Sequence, residues 1–205
     1  MTWMLTFHGR EHHLAGIGQQ LNQPDISEIA HALAQINRFT GHCKRPYSVA
    51  EHSVLVASIA ADEGAGIDAQ LAALLHDAHE AYTGDVSSPA KWAIGQPWEV
   101  FEHSQATAVH NALGVRAAMC AHRASIRRWD LIALATERRD LTSYDPAKHK
   151  PWPILDNPHH PVQPIDLNLM AEVRRDMRWS NWVQVFMDHY EHLARKLRLQ
   201  QGVPS

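Results

Sequence analysis

The chain has 205 residues, 45% hydrophobic and 20% charged, which is typical of one globular domain with a sizeable core. Its formal net charge of −3 argues against a general nucleic-acid binder or a membrane-surface protein. The apolar runs are too short for a membrane span, and the N-terminus lacks the features of a signal peptide. Cys43 and Cys120 fit unpaired thiols in a reducing cytosol, so we expect a cytoplasmic protein. Sixteen scattered histidines modestly favour metal or acid–base chemistry.

The first elements are a hairpin and a helix. Residues 3–7 alternate weakly between apolar and polar, and the turn-forming residues 8–10 follow, which predicts a short β-hairpin. Asp25 then provides an N-cap for a helix that we expect to present Arg38 and Phe39 at its end. An arginine beside an aromatic ring can bind a phosphate and stack on a base. The local sequence alone favours a surface arginine next to a core phenylalanine.

His52 lies in the first turn of the next predicted helix. This helix begins at a capping box formed by Ser48 and Glu51 and continues with apolar residues to Ala60. A histidine on such a helix is more often a hydrogen-bonded core residue than a metal ligand. Taken alone, His52 therefore indicates a core histidine.

The stretch from Leu71 to Asp85 is the most informative in the chain. It begins as an apolar helix and then places His76, Asp77 and Glu80 in close succession. Charge on a helix that buries leucine is costly unless it is paired or bound to a metal. The His-Asp dipeptide is therefore either a satisfied polar pair or a metal site, and the local sequence does not decide between them.

Residues 83–91 are rich in small and turn-forming residues, which predicts a loop. Loops that follow a ligand-bearing helix often carry function. Asp85 and Lys91 are the ionisable residues in this loop. The alternative is an aspartate that stabilises a turn and a solvated lysine.

Two longer helices follow, at about 97–113 and 120–142. On the second, Asp130 shares a face with apolar residues and therefore needs a partner. Asp140 points away from that face, and we expect it to face solvent. The six prolines of residues 145–164 predict a stiff, extended connector.

Two helices close the chain, one from Leu169 to Met177 and one that begins at Ser180. The predicted fold class is therefore all-α, with a short N-terminal β-hairpin. We expect one compact domain over residues 1–205, with a core at about 25–142 and a C-terminal helical extension at about 164–200.

Three separate helices each offer ionisable groups on a buried face, namely His52, the His76-Asp77 pair and Asp130. Two imidazoles and two carboxylates suit a divalent transition metal with positions left open for water and substrate. Glu80 follows His76 by one turn and can orient that water or take its proton. Taken together, these residues favour a metal centre.

This ordered pattern resembles the HD-domain metal-dependent phosphohydrolases, which are all-α. The match covers roughly residues 25–142, and its local details are close to the nucleotide-hydrolysing branch, which includes bacterial 5′-deoxynucleotidases and phage deoxynucleoside triphosphate phosphohydrolases. The residues that carry it are Arg38-Phe39, Tyr47-Ser-Val-Ala-Glu-His52, His76-Asp77-Ala-His-Glu80 through Gly84-Asp85, Pro89-Ala-Lys91, and Trp129-Asp130 with Glu137.

The resemblance implies a role for each matching residue. The implied metal ligands are His52, His76, Asp77 and Asp130. Glu80 would handle the nucleophilic water, and Asp85 would contact the reacting phosphate or serve as an acid. Arg38 and Lys91 would hold phosphate, and Phe39 stands where the deoxynucleotidases carry a tryptophan against the sugar or base. The resemblance also implies one divalent ion (Mn, Co, Fe, Ni, Zn or Mg), a small-molecule nucleotide as substrate, and homo-oligomers.

We therefore predict a metal-dependent phosphohydrolase that acts on nucleotides. It would remove the 5′-phosphate of a (deoxy)nucleoside monophosphate or hydrolyse a dNTP. A triphosphate needs more counter-charge, and Lys44-Arg45 leave that reaction open. One alternative is a non-catalytic nucleotide- or signal-binding module with a structural metal, although Glu80 and Asp85 would then be unnecessary. Another is an internal polar network that binds no metal.

Overall fold

The computed structural model describes residues 2–202, which are mostly helical, as predicted. None of the helices in that part of the chain has the length and apolar character that a bilayer crossing requires. Short 3-10 turns cover Ile17–Leu21 and Arg38–Gly41. The helices are α1 (Ile26–Leu33), α2 (Val49–Asp62), α3 (Ile67–Leu75), α4 (Glu80–Thr83), α5 (Ser88–Ile94), α6 (Gln96–Ala112), α7 (Arg116–Ala121), α8 (Arg123–Leu141), α9 (Glu172–Arg175) and α10 (Trp179–Gln200).

The N-terminal hairpin is confirmed. β1 (Trp3–Leu5) pairs antiparallel with β2 (Glu11–His13). Gly9 in the turn has a φ of 74°, a left-handed conformation that glycine adopts without steric cost. The imidazole of His12 stacks on the ring of Tyr82, with centroids 3.7 Å apart. The hairpin is therefore anchored to α4, which follows the His-Asp dipeptide.

The start of α1 is also as predicted, but its end is not. The Asp25 carboxylate accepts hydrogen bonds from the backbone N–H groups of Ser27 and Glu28, at 3.0 and 3.2 Å. The helix ends at Leu33, so Arg38 does not lie at its exit but in a separate 3-10 turn.

α2 lies at the centre of the core, where it packs against α3, α8 and α10. Every side chain from Val49 to Ala57 is buried. A helix that is buried all round must satisfy its polar groups internally. Glu51 and His52 are both fully buried, and each has charged partners.

The C-terminal region is part of this core rather than an extension of it. α10 packs against α1, α2 and α3 and buries Trp182, Phe186 and Leu193. The residues between α8 and α9 contain no α-helix, in agreement with their proline content.

Two helix boundaries and one side-chain orientation predicted in the C-terminal half were wrong. Only Glu172–Arg175 of the first predicted helix is helical. α10 is capped by Arg178 rather than Ser180, because the Asn181 side chain accepts a hydrogen bond from the Arg178 N–H at 2.9 Å. Asp140 is not turned to solvent, since its carboxylate accepts a hydrogen bond from the Leu169 N–H at 2.8 Å.

An ion-pair cluster ties α2 to the C-terminal region. The buried Glu51 carboxylate accepts hydrogen bonds from both terminal nitrogens of Arg45, at 2.8 and 2.7 Å, and from Arg174 at 2.9 Å. Arg45 also donates to the Leu169 carbonyl at 2.7 Å. The Glu51 side chain therefore does not close the predicted capping box, although Ser48 accepts the Glu51 N–H as expected.

Candidate metal centre

The His-Asp dipeptide stands where α3 ends. His76 is the C-cap residue of α3, and its Nδ1–H donates to the Ala73 carbonyl at 2.8 Å. The chain then turns, and Glu80 N–H donates to the Asp77 carbonyl at 2.9 Å. The α-helical hydrogen bonds give way here to i→i+3 bonds, and the adjacent His76 and Asp77 side chains meet, with Nε2 and Oδ2 3.1 Å apart.

Side chains from α2 and α8 meet this pair. His52 Nε2 lies 3.3 Å from His76 Nε2, 3.5 Å from Asp77 Oδ2 and 3.3 Å from Asp130 Oδ1. Ligand atoms of His52, His76 and Asp130 therefore all lie within 4.8 Å of one another, and Asp77 Oδ2 lies beside both histidines.

The protonation pattern at this point fits a metal ion. Each Nδ1 faces an acceptor, Glu137 for His52 and the Ala73 carbonyl for His76, so each neutral ring carries its hydrogen on Nδ1. In this neutral form both Nε2 atoms present lone pairs to each other and to two carboxylates, so a cation or, in the metal-free chain, a proton must lie between them. An ion about 2.0–2.2 Å from each ligand atom would hold neighbouring ligand atoms roughly 3.0–3.5 Å apart. The observed separations of 3.1–3.5 Å match that requirement.

Glu137 stands behind His52 as a fully buried carboxylate with three partners. Its Oε1 accepts from His52 Nδ1 at 2.6 Å and from the Tyr47 hydroxyl at 2.9 Å, and its Oε2 accepts from Arg38 Nη2 at 3.2 Å. Burial raises the pKa of Glu137, but Arg38 and His52 outweigh burial and hold the pKa below its ordinary value. Glu137 is therefore an ionised group inside the core.

The charges of the ligands depend on one another in the metal-free chain. Burial and Arg38 lower the pKa of His52, but the carboxylates of Glu137 and Asp130 outweigh them, and the pKa is about 9. Burial raises the pKa of Asp77, whereas His76, His52 and Arg38 together hold it well below its ordinary value. The site is thus built for positive charge at its centre.

Glu80 lies beside this centre on α4 and is buried. Burial is the main reason that its pKa is raised well above the ordinary value, and Asp77 and Asp85 raise it further. Burial likewise raises the pKa of Asp85. Both carboxyls therefore hold protons more readily than exposed ones do.

Lys91 is on helix α5 rather than in the predicted loop. Its Nζ lies 2.5 Å from Glu102 Oε1 and 3.9 Å from Glu80 Oε1. Glu102 also lies near His79, with 3.7 Å between Oε1 and Nε2. Lys91 thus neutralises Glu102 and lies within reach of Glu80. Sequence reasoning did not single out Glu102, because nothing in its local pattern on α6 indicates that it faces α5.

Arg38 and Phe39 also lie beside the centre. Arg38 Nη1 is 3.7 Å from Asp77 Oδ2, and 12% of the Arg38 side chain is exposed, so it is not a surface arginine. Phe39 and Thr40 adopt left-handed backbone conformations with φ of 55° and 54°. Such strain in non-glycine residues clusters at functional sites.

Tyr47 and Glu137 carried the family resemblance but were given no role from sequence. A signal for Glu137 was present, since it follows Asp130 by seven residues and therefore shares its helix face. Tyr47 precedes α2 and had no comparable signal. Its hydroxyl reaches Glu137 only because the chain turns between Arg38 and Ser48.

The comparisons agree with this geometry. A family model described as the HD domain matches residues 49–144, which include all four candidate ligands. The chain is similar to the uncharacterized protein YfdR of Escherichia coli strain K12, with 34% identity over 158 residues, 76% of this chain and 80% of that protein. It is also similar to the uncharacterized protein RCAP_rcc00048 of Rhodobacter capsulatus, with 36% identity over 141 residues, 64% of this chain and 72% of that protein. The chain belongs to the HD-domain superfamily of metal-dependent phosphohydrolases.

Proposed function

We propose that this protein acts as a phosphohydrolase on nucleotides and that it removes the phosphate of (deoxy)nucleoside 5′-monophosphates. The observation that carries the proposal is that His52 Nε2 lies 3.3–3.5 Å from ligand atoms of His76, Asp77 and Asp130, with the Arg38 guanidinium beside Asp77. This arrangement offers a cation-binding centre and a phosphate-binding group at one point.

Each side chain has a task that its surroundings support. A divalent ion held by the four ligands would polarise a phosphoryl oxygen and lower the pKa of a bound water. Arg38 would bind a phosphoryl oxygen, and its buried Nε has no hydrogen-bond partner among residues 2–202. Glu80, whose raised pKa makes it a stronger base than an exposed carboxylate, can take the proton of the attacking water. Asp85 can return a proton to the leaving oxygen.

The cation arrangement favours a monophosphate over a triphosphate. Arg45, one of the residues that left a triphosphate substrate open, has only 8% of its side chain exposed and is held by Glu51. Lys44 Nζ donates to the Asp140 carbonyl, and Lys91 is paired with Glu102. Of these cations, Arg38 is the one that reaches a candidate metal ligand, which provides less counter-charge than a triphosphate needs.

A product analysis tests the proposal. Purified protein with added Mn²⁺ or Co²⁺ would be incubated with deoxy- and ribonucleoside mono- and triphosphates, and the products separated by chromatography. We expect nucleosides and phosphate from monophosphates, and no such products from the Asp77→Ala variant. Consumption of dNTPs with release of triphosphate or pyrophosphate would show that the protein hydrolyses dNTPs instead. Metal binding without turnover of any substrate would contradict the proposal and favour a non-catalytic binding module.

A further inference from the structure

The proline-rich segment places an aromatic ring beside the candidate centre. The rings of Trp152 and Phe39 have centroids 6.4 Å apart at an interplanar angle of 37°, and the Tyr144 ring lies 5.9 Å from that of Trp152. All three side chains are half-buried. We call these three residues the aromatic wall. Tyr144 and Trp152 lie outside the region that carried the sequence resemblance.

Arg38 connects the aromatic wall to the metal ligands. The carbon of its guanidinium group lies 5.7 Å from the centroid of the Phe39 ring, and its Nη1 lies 3.7 Å from Asp77 Oδ2. The wall is therefore one arginine side chain away from the place where a phosphate would react. A planar group joined to that phosphate through a sugar would reach it.

Charged contacts hold the wall rigidly. Asp156 accepts two hydrogen bonds from Arg138 of α8, at 2.5 and 2.7 Å, and one from the Trp152 backbone N–H at 2.7 Å. The Arg138 guanidinium also lies over the rings of Tyr144 and Trp152, at 4.5 and 5.4 Å. Leu155 of the same segment is fully buried. A wall fixed in this way would lose little conformational freedom when a ligand binds.

The backbone conformation of Phe39 supports the same conclusion. Phe39 and Thr40 both have positive φ values, which residues other than glycine adopt only at an energetic cost. This strained turn holds Phe39 between Arg38 and Trp152. Phe39 is partly exposed and lies next to the arginine that would bind the phosphate. Its position therefore suits contact with a ligand.

We propose that Trp152, together with Phe39, forms the stacking subsite for the base of the nucleotide whose phosphate lies at Arg38. The inference rests on the proposed function, which it deepens by assigning base recognition to the proline-rich segment. Stacking on aromatic faces tolerates every base, because each base has a π-face. Trp152 would therefore select nucleotides over base-free phosphate esters rather than select one base.

Kinetics with two substrates test the subsite. The probes are 2′-deoxyadenosine 5′-monophosphate and 2-deoxyribose 5-phosphate, which carries the sugar and phosphate without a base. For Trp152→Ala we expect the ratio of kcat/KM for the nucleotide to that for the base-free ester to fall roughly 5- to 150-fold, mainly through KM. Trp152→Phe, which keeps a ring, should recover most of the ratio. An unchanged ratio in Trp152→Ala would overturn the proposal.

A second measurement separates this proposal from the proposed function. The binding of both probes to the metal-loaded protein would be followed by calorimetry in the wild type, in Trp152→Ala and in Trp179→Ala, which removes an exposed tryptophan of α10. If neither probe is hydrolysed but Trp152→Ala selectively weakens nucleotide binding, the subsite stands and the proposed function fails. If both variants bind the nucleotide as tightly as the wild type, the subsite is refuted whatever the turnover. Thermal unfolding of each variant would identify a loss of folding.

Discussion

His52 Nδ1 and Glu137 Oε1 lie 2.6 Å apart, and neither side chain is exposed to solvent. This contact keeps the imidazole hydrogen on Nδ1 and turns the Nε2 lone pair toward His76, Asp77 and Asp130. Glu137 also binds Arg38, so one buried carboxylate fixes both a candidate metal ligand and the candidate phosphate-binding group.

Replacing Glu137 should therefore weaken metal binding without removing a ligand. Glu137→Gln keeps the size of the side chain but loses the charge that orients His52. We expect the affinity for Mn²⁺, measured by calorimetry on metal-free protein, to fall about 10- to 100-fold. Glu63→Gln is the matched control, since Glu63 pairs with Arg128 at an exposed site. An unchanged affinity in Glu137→Gln would show that Glu137 does not position His52.

The raised pKa of His52 predicts opposite effects of pH on the two forms of the protein. His52 titrates at about 9 in the folded, metal-free chain and near 6.5 when unfolded. Its protonated form therefore stabilises the metal-free protein fully below about pH 6.5, and this stabilisation is lost as the pH rises toward 9. Metal binding must displace that proton, so metal affinity should increase with pH over the same range.

Thermal unfolding between pH 6.5 and 9 would check this prediction. The Tm of the metal-free protein should fall across the interval, and the increase in Tm on adding Mn²⁺ should become larger. Glu80 also lowers the stability of the metal-free protein as the pH rises, because its pKa in the folded state is raised too. A metal-free Tm that rises with pH would contradict the assignment of His52 as a charged, ion-paired residue.

Glu80 should be needed for turnover and not for metal binding. Glu80→Gln removes the group that takes the proton of the attacking water, and we expect kcat to fall about 10²- to 10⁴-fold. Elemental analysis of the purified variant should still find the ion, because the four ligands remain. Loss of the metal together with activity would instead make Glu80 part of the metal-binding set.

The Arg45–Glu51 pair should matter for stability. Arg45→Met leaves the buried Glu51 carboxylate with Arg174 as its remaining charged partner, and breaking a buried pair costs about 3–5 kcal/mol. We expect a loss near the lower end of that range in urea unfolding. Arg128→Met, which breaks an exposed pair, should cost about 0–1 kcal/mol. A similar small loss in Arg45→Met would mean that Arg174 alone compensates Glu51.

Helical periodicity explains which parts of the site could be predicted from sequence. His52 and Asp130 lie on long helices, and the spacing of apolar residues predicts which face of each helix is buried. The sequence also indicated that a helix ends near His76 and Asp77, where two adjacent side chains can approach one ion. Periodicity does not extend to contacts made by turns and connectors, however. The sequence therefore placed Arg38 at the exit of a helix that ends at Leu33.

Contacts between segments that are distant in sequence could not be predicted either. Lys91 pairs with Glu102 because α5 and α6 pack against each other. The local sequence does not indicate this pairing. Trp152 lies beside Phe39, and the Arg138–Asp156 contact joins the proline-rich segment to α8, neither of which local sequence indicates. The prolines of residues 145–164 correctly indicated a segment without α-helix, but the segment turns at 146–148, 153–155 and 158–159 instead of running extended as predicted. The sequence also could not show that this segment borders the site.

The most direct test of the metal-centred account is phosphate release from 2′-deoxyadenosine 5′-monophosphate during titration of the metal-free protein with Mn²⁺. We predict that the rate rises with added ion, saturates near one ion per chain and stays at background in Asp77→Ala. Release that does not depend on the ion, or no release at saturating Mn²⁺ from a folded protein, would contradict the account.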